Sequence, residues 1–241
     1  MKLTPFLGLL IYETDPYSTP FLDPFPPFLS GEPDMAVEDW ALPGEPFRLA
    51  AVAVDAADWA RRLPAAAQAR AARYSSAAAR ARAGASEWLK ACWLPRELGL
   101  ARVEFATGAN GKPLLTGAAA EWGFNLSHAG GWAVAALRRG GAVGVDLETL
   151  DRPADIARLA ARVFSESERA RVQAGGREAF FTLWSQKEAL LKALGCGWAD
   201  GGIVRRTRLE IVPFQAEPET GVRVWSRRVL GGAYSLAVAL A

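Results

Sequence analysis

Two acidic residues two positions apart mark a candidate metal site. Asp146 and Glu148 lie in segment 144–148, where apolar and acidic residues alternate. On a strand, residues two apart point to the same face, so the carboxylates would project together while Val145 and Leu147 enter a core. Adjacent carboxylates repel unless a cation lies between them, and Mg²⁺ prefers such oxygen ligands. The alternative is a solvated strand face.

A predicted helix over residues 177–194 carries charged residues beside an apolar face. At about 100° per residue, Lys187 falls in the middle of that face. We expect its ammonium group to reach solvent or to meet a buried anion. Glu188 and Lys192 are four residues apart on one edge of the helix. An ordinary surface ion pair would explain these two residues but not Lys187.

Two other segments offer groups that could bind an anion. Segment 124–128 places Ser127 beside His128, the only histidine of the chain. Adjacent strand residues point apart, so a nucleophile–base pair is not expected, and we interpret both as donors to an anion. A turn over residues 108–111 precedes Lys112 but lacks the spacing of a P-loop. A structural histidine and a simple hairpin turn are the alternatives.

Composition and charge exclude several classes of protein. The 241 residues are 51% hydrophobic and 22% charged, and no apolar run approaches the roughly 20 residues of a membrane-spanning helix. Two cysteines and one histidine exclude a disulfide framework and a two-histidine metal site. Residues 1–60 carry a net charge of −8 and residues 61–102 a net charge of +7. The basic block is a candidate anion-binding surface or a solvated helix face, and is too sparse for nucleic-acid binding.

The N-terminus, with Lys2 before an apolar run, resembles an export signal only faintly, and secretion is the minor alternative. The apolar run over residues 6–11 is short, Pro5 interrupts its entry, and no small-residue cleavage site follows. We therefore expect a cytoplasmic protein that is not bound to a membrane.

The predicted strands and helices that position these residues occur in the same order twice along the chain. Strands are expected over 48–54, 102–106, 113–115, 124–127, 132–138, 142–148, 203–213, 221–229 and 233–240; helices are expected over 55–98, broken near Ser76, and over 155–174 and 177–194. This order predicts an α+β fold with an N-terminal half over residues 48–140 and a C-terminal half over residues 141–241. Nine of the fifteen prolines precede residue 48, so residues 1–47 are expected to form a Pro-rich extension.

Four motifs together resemble one protein family. They are Gly111-Lys112-Pro113 and segments 124–128, 144–148 and 184–192. In order and approximate spacing they resemble the 4′-phosphopantetheinyl transferases, of the long two-half type exemplified by the surfactin-synthetase activator. The resemblance covers roughly residues 61–215. It implies a pseudo-twofold pair of similar α+β halves with the active site between them.

The resemblance also implies a reaction. Coenzyme A would donate its 4′-phosphopantetheine group, in a Mg²⁺-dependent step, to a serine of an acyl, polyketide or peptidyl carrier protein, releasing adenosine 3′,5′-bisphosphate. It implies that Asp146, Glu148 and Glu188 bind Mg²⁺ and that Glu188 also helps to deprotonate the serine. Lys192 matches a pyrophosphate contact and is expected to act in catalysis with Glu188.

Contacts to coenzyme A are implied for a wider set of basic and polar residues. They are Arg70, Arg73, Arg82, Lys112, Ser127, His128, Lys187 and Lys192. Arg80 matches nearly as well as Arg82. A non-catalytic member that binds coenzyme A or a carrier protein is the alternative. Since one chain supplies both halves, we expect a monomer.

Overall fold

A computed structural model of the chain describes residues 47–54, 63–108, 111–199 and 201–241. The predicted Pro-rich extension lies outside these residues except for its last position, Phe47. Within the described residues, no helix combines the length and the apolar character needed to cross a membrane.

Strands and helices alternate along the described chain. The strands are β1 (Phe47–Ala53), β2 (Glu104–Thr107), β3 (Pro113–Thr116), β4 (Trp122–Ala129), β5 (Trp132–Arg139), β6 (Val143–Thr149), β7 (Phe214–Ala216), β8 (Arg223–Val229) and β9 (Tyr234–Leu240). The α-helices are α1 (Ala65–Ala72), α2 (Ala77–Trp88), α3 (Leu94–Glu97), α4 (Ile156–Val163), α5 (Glu166–Leu194) and α6 (Gly201–Arg206). A π-helical turn, Leu89–Trp93, joins α2 to α3, and a 3₁₀ turn, Gly117–Ala119, follows β3.

The described strands form two antiparallel sheets and a hairpin. One sheet has the order β1-β5-β4, the other has the order β6-β9-β8-β7, and β2 pairs with β3. Strands β4 and β6 are therefore edge strands of the two sheets. Each leaves one row of backbone groups without a partner strand among the described residues.

The two sheets pack face to face between two layers of helices. Val134 of β5 and Val145 of β6 belong to the buried cluster between the sheets. The neighbouring Ala133 faces the opposite way, into a cluster with Trp88 of α2. Phe180 of α5 packs in a third cluster on the outer face of the second sheet. These layers confirm the α+β class, while the twofold relation between the halves stays a prediction.

Gly144 allows β6 to lie directly on α5. A Cβ atom built on Gly144 would fall 2.0 Å from the carbonyl oxygen of Ala189 and 2.5 Å from the nitrogen of Ala193. Any larger residue would therefore push the strand away from the helix. Because Asp146 and Glu148 share this face of β6, the contact brings both carboxylates against α5.

Local signals set the boundaries of the helices. The predicted helix start at Ser76 is confirmed, since its hydroxyl oxygen accepts a hydrogen bond from the nitrogen of Ala79 at 3.1 Å. The predicted break between residues 174 and 177 is confirmed at Gly176, with φ 61° and ψ −142°. The single helix predicted over residues 155–174 is wrong. It is divided before Ser165, which caps α5 through reciprocal hydrogen bonds with Glu168.

Most predicted strands are confirmed to within two residues, but the strand predicted over residues 203–213 is wrong. Residues 201–206 form α6, and β7 covers only Phe214–Ala216. The β-branched Ile203 and Val204 favour a strand locally. Tertiary contacts outweigh this preference, because the carbonyl oxygens of Val204 and Thr207 accept hydrogen bonds from the buried ammonium group of Lys187 at 2.9 and 3.2 Å.

Candidate active site

Side chains of β4 hydrogen-bond to the free edge of β6. Oδ1 of Asn125 accepts a hydrogen bond from the nitrogen of Val145 at 2.9 Å. Oγ of Ser127 accepts one from the nitrogen of Leu147 at 3.2 Å. Both pairs are two residues apart on their strands, so the contacts repeat in register. They satisfy backbone donors of an edge strand and bring Ser127 next to the acidic face of β6.

Asp146 lies at the centre of the site and is only 4% exposed. Its Oδ1 atom accepts hydrogen bonds from the hydroxyl of Ser127 at 2.9 Å and from the ammonium group of Lys192 at 2.7 Å. Lys192 also donates to the carbonyl oxygen of Val145 at 3.0 Å. Oδ2 of Asp146 is buried and has no hydrogen-bond partner among the described residues. A buried carboxylate oxygen without a donor is costly, so this atom is a candidate ligand for a cation.

The two glutamates beside Asp146 are turned toward other groups. Oε2 of Glu148 lies 3.4 Å from Nε of Arg152. Oε1 of Glu188 accepts a hydrogen bond from the indole N–H of Trp198. The alternative of an ordinary surface ion pair between Glu188 and Lys192 does not hold, because Lys192 pairs with Asp146.

Negative charge accumulates in this part of the molecule. Burial, with the charge of Asp146 next in importance, raises the pKa of Glu148 to about 7. Burial and the charge of Asp146 also raise the pKa of Glu188. Lys192 and Arg152 oppose both shifts without cancelling them. Burial and the charge of Asp146 therefore disfavour the ionised forms of Glu148 and Glu188 more than the nearby cations favour them.

The donor set fits a hard divalent cation. It consists of carboxylate oxygens, and one of them, Oδ2 of Asp146, is buried without a partner. Throughout the described ranges, however, no three acidic, histidine or cysteine side chains already surround a common point at ligand distance. Glu148 and Glu188 instead face Arg152 and Trp198. The three carboxylates interact through their charges rather than as a preformed cage.

Lys112 is anchored beside the same site. Its ammonium group donates to the carbonyl oxygen of Val143 at 3.3 Å and to that of Lys192 at the end of α5. Burial lowers the pKa of Lys112. The carbonyl groups at a helix C-terminus carry partial negative charge and attract a cation. Lys112 therefore ties the β2–β3 hairpin to α5.

Ser127 and His128 point apart, as the sequence predicted. Ser127 turns inward to Asp146, whereas His128 is exposed on β4. No hydrogen bond joins the two side chains in this described part of β4, so the arrangement does not provide a serine nucleophile with a histidine base.

Comparison with known proteins shows which family the C-terminal half resembles. Residues 142–238 match the family model of the 4′-phosphopantetheinyl transferase superfamily. The matched segment includes β6 and α5, and thus all three acidic residues of the site. The chain is also 39% identical over 116 residues to 4′-phosphopantetheinyl transferase AcpT of Salmonella typhimurium, covering 44% of this chain and 59% of that protein. The C-terminal half of the chain is therefore similar to this superfamily.

Two other 4′-phosphopantetheinyl transferases are similar over comparable lengths. HetI of Nostoc sp. is 36% identical over 123 residues, covering 48% of this chain and 50% of that protein. Psf-1 of Bacillus pumilus is 40% identical over 108 residues, covering 43% and 45% respectively. The chain thus spans about half the length of the curated relatives it matches.

Lys187 has a structural role. Its side chain is 0% exposed and forms an ion pair of 2.9 Å with Glu168, whose side chain is also 0% exposed. The expectation of a buried anion is confirmed. The assignment of Lys187 as a coenzyme A contact is wrong, because its ammonium group donates to Glu168, Val204 and Thr207 inside the core. Burial lowers the pKa of Lys187, although the charge of Glu168 opposes this.

Arg70, in the basic block, is held by a carboxylate that sequence analysis missed. Its guanidinium group binds Oε2 of Glu87 at 2.8 Å through Nε and 2.6 Å through Nη2, and Lys90 binds Oε1. Burial would raise the pKa of Glu87, but the hydrogen bonds and charges of Arg70 and Lys90 outweigh it and lower this pKa. Part of the basic block is therefore compensated internally.

The other arginines of this block differ in their contacts. Arg80 donates to the carbonyl oxygens of Tyr74 and Ser75 at 3.0 and 2.6 Å, which fixes the turn between α1 and α2. Arg73 is exposed and Arg82 is half-buried, and neither side chain hydrogen-bonds to a protein group within the described ranges. This difference favours Arg82 over Arg80 as a side chain available to a ligand.

Sequence analysis missed three residues that position the acidic groups. Asn125 could have been found, because it lies two positions before Ser127 and so shares its face of β4. Arg152 lies four residues after Glu148 but beyond the end of β6. For Trp198 there was no usable signal, since its contact with Glu188 depends on how the chain turns after α5.

Proposed function

We propose that this chain transfers the 4′-phosphopantetheine group of coenzyme A to a serine of an acyl, polyketide or peptidyl carrier protein. Adenosine 3′,5′-bisphosphate would be released. The observation that carries the proposal is the buried, unpartnered Oδ2 atom of Asp146. The charge of Asp146 also helps to raise the pKa of Glu148 and of Glu188, and all three residues lie on the segment that matches the superfamily.

Asp146, Glu148 and Glu188 are the proposed ligands of Mg²⁺. The bound ion supplies charge neutralisation to the diphosphate of coenzyme A during phosphoryl transfer. Lys192 neutralises Oδ1 of Asp146 and leaves Oδ2 for the cation. Because Lys192 also donates to Ser127 at 3.3 Å, its contact to the pyrophosphate would add to an existing network.

The proposed chemical step is a displacement at the phosphorus that carries the pantetheine arm. The serine oxygen of the carrier forms a bond to this β-phosphorus while the bond to the bridging diphosphate oxygen breaks. The adenosine bisphosphate keeps the electron pair of that bond. Glu188 is the proposed acceptor of the serine proton, directly or through water, because burial raises its pKa and thus its affinity for a proton.

Basic and polar side chains on the N-terminal half are the proposed contacts to the nucleotide end of coenzyme A. Arg73, Arg82 and His128 have polar groups without protein partners in the described chain, which supports a direct contact. Arg70 and Lys112 already bind protein groups and would approach the ligand from fixed positions. Ser127 would contribute from beside Asp146.

The test is a transfer assay with one carrier domain of each type. Each domain is incubated with the chain, coenzyme A and Mg²⁺, and its intact mass is measured. We expect one phosphopantetheine addition on at least one carrier, and none when the acceptor serine of that carrier is replaced by alanine. Binding of coenzyme A without a mass change on any carrier would favour the alternative, a non-catalytic binding protein of the same fold.

The assembly proposed for this activity is a monomer in the cytoplasm, with halves over residues 48–140 and 141–241. Ser127 and Lys112 from the first half meet Asp146 and Lys192 from the second within one chain, which supports this proposal. Sedimentation equilibrium should give the mass of a single chain, and a dimeric mass would contradict it.

A further inference from the structure

An aromatic stack lies next to the acidic site. The ring of Trp184 stacks on the ring of Trp198 with centroids 4.7 Å apart and on the ring of Phe180 at 5.5 Å, with an interplanar angle of 29° in both cases. From this stack, the indole N–H of Trp198 donates a hydrogen bond to Oε1 of Glu188. Trp184 and Glu188 are four residues apart and share one face of α5.

The end of α5 explains how Trp198 reaches this position. Gly195 adopts a left-handed conformation with φ 71°, which terminates the helix. The nitrogen of Gly195 donates to the carbonyl oxygen of Lys192 at 3.3 Å, and that of Cys196 donates to Leu191 at 2.9 Å. The chain therefore folds back along α5, and this brings the ring of Trp198 onto the ring of Trp184.

The same stack also contacts Arg152, the residue that faces Glu148. The guanidinium group of Arg152 lies over the rings of Trp184 and Phe181, 6.0 and 5.5 Å from their centroids. From there Nε of Arg152 approaches Oε2 of Glu148. Trp184 thus contacts the two groups that face Glu148 and Glu188, Arg152 and Trp198.

We propose that Trp198 is a positioning residue that aims Glu188 at the cation and at the serine proton. This inference rests on the proposed function. The indole N–H fixes Oε1 and leaves Oε2 without a hydrogen-bond partner among the described residues. Because the indole is uncharged, it orients the carboxylate without neutralising it, so Glu188 keeps its charge for a cation. Outer donors of this kind commonly orient metal ligands.

Two matched variants separate the hydrogen bond from the packing of the stack. W198F keeps an aromatic ring on Trp184 but removes the N–H donor. W184F reduces the same stack and keeps the donor of Trp198. Mg²⁺ is titrated by calorimetry into each metal-free protein saturated with coenzyme A, without a carrier protein. We expect W198F to bind Mg²⁺ about 10- to 100-fold more weakly than wild type, and W184F to bind close to wild type.

The contact itself is measured by NMR of the ¹⁵N-labelled indole groups in the wild-type chain and in E188Q. The Nε1–H resonance of Trp198, assigned by its loss in W198F, should move in E188Q because the acceptor changes from a carboxylate to an amide. An unmoved resonance would overturn the inference. The comparison itself uses wild type and E188Q, and W198F serves only to assign the resonance. Circular dichroism checks that W198F and W184F fold.

The affinities decide between the remaining outcomes. Equal Mg²⁺ affinity of W198F and wild type would overturn the role of Trp198 alone. Equal losses in W198F and W184F would also overturn it, because packing rather than the donor would then set the affinity. A wild-type protein that binds coenzyme A but no Mg²⁺ would overturn the proposed function, and this inference with it.

Discussion

Oδ1 of Asn125 accepts a hydrogen bond from the backbone nitrogen of Val145 at 2.9 Å, although the two residues belong to different sheets. Asn125 is on the edge strand of the first sheet and Val145 on that of the second. The bond fixes where β6, with its acidic residues, lies relative to β4. The proposed site therefore depends on a contact between sheets rather than on either sheet alone.

Replacement of Asn125 by alanine tests this contact. The nitrogen of Val145 would remain buried without an acceptor, so we expect N125A to lose about 1–3 kcal/mol of unfolding free energy in urea denaturation. H128A is the control, because His128 is exposed on the same strand and should change stability by less than about 0.5 kcal/mol. Equal stabilities of the two variants would show that the Asn125 bond contributes nothing.

Neutral replacements of the acidic residues test the metal assignment. D146N and E188Q should abolish transfer to a carrier domain, measured as the loss of the mass change, because each removes a proposed ligand charge. Their circular dichroism should match that of wild type. D151N is the control. It changes an exposed aspartate three residues after Glu148 and should keep full activity. Activity of D146N or E188Q at the wild-type level would refute the assignment.

Removal of the Lys112 ammonium group tests its role toward coenzyme A. We expect K112A to raise the KM for coenzyme A about tenfold, equivalent to about 1.4 kcal/mol, with a smaller effect on kcat. R139A removes an exposed arginine that pairs with Glu121 and should leave both constants unchanged. An unchanged KM in K112A would count against the contact.

The raised pKa of Glu148 predicts how Mg²⁺ stabilises the protein at different pH. Between its ordinary pKa of 4.5 and about 7, the folded metal-free protein binds more protons than the unfolded chain, so stability falls as pH rises through this window. Mg²⁺ binds the deprotonated carboxylate and should therefore raise Tm more at pH 8 than at pH 5.5. Thermal unfolding of wild type and E148Q measures this. The pH dependence should be weaker in E148Q, and an identical Mg²⁺ effect on wild type at both pH values would contradict the prediction.

The buried ion pair of Lys187 with Glu168 predicts a loss of stability rather than of ligand binding. K187M leaves the Glu168 carboxylate without its cation in the core and should cost about 3–5 kcal/mol in chemical denaturation. The double variant K187M/E168L should recover part of this loss, since it removes both charges. The folded fraction of the double variant should bind coenzyme A with wild-type affinity, whereas weaker binding would restore Lys187 as a contact.

The parts of the site that follow from local pattern could be predicted from the sequence. Alternation along 144–148 correctly placed Val145 and Leu147 in a core and the carboxylates on the opposite face. The position of Lys187 on an apolar face correctly indicated a buried anion. Which anion it meets could not be predicted, because Glu168 is 19 residues away and depends on the kink at Gly176.

The features that the sequence did not predict depend on contacts between elements that are distant along the chain. Ile203 and Val204 favour a strand. Hydrogen bonds from Lys187 to the carbonyl oxygens of Val204 and Thr207 stabilise a short helix instead. The contact of Trp198 with Glu188 depends on the reversal at Gly195, and a sequence pattern gives the turn but not where the chain returns. These contacts require the three-dimensional packing and have no periodic signature.

The close approach at Gly144 also sets a limit on redesign. Even the methyl group of alanine would force β6 and α5 apart at this position, since its carbon would overlap the carbonyl oxygen of Ala189. In a library of variants, this position would have to stay glycine for β6 and α5 to keep their contact.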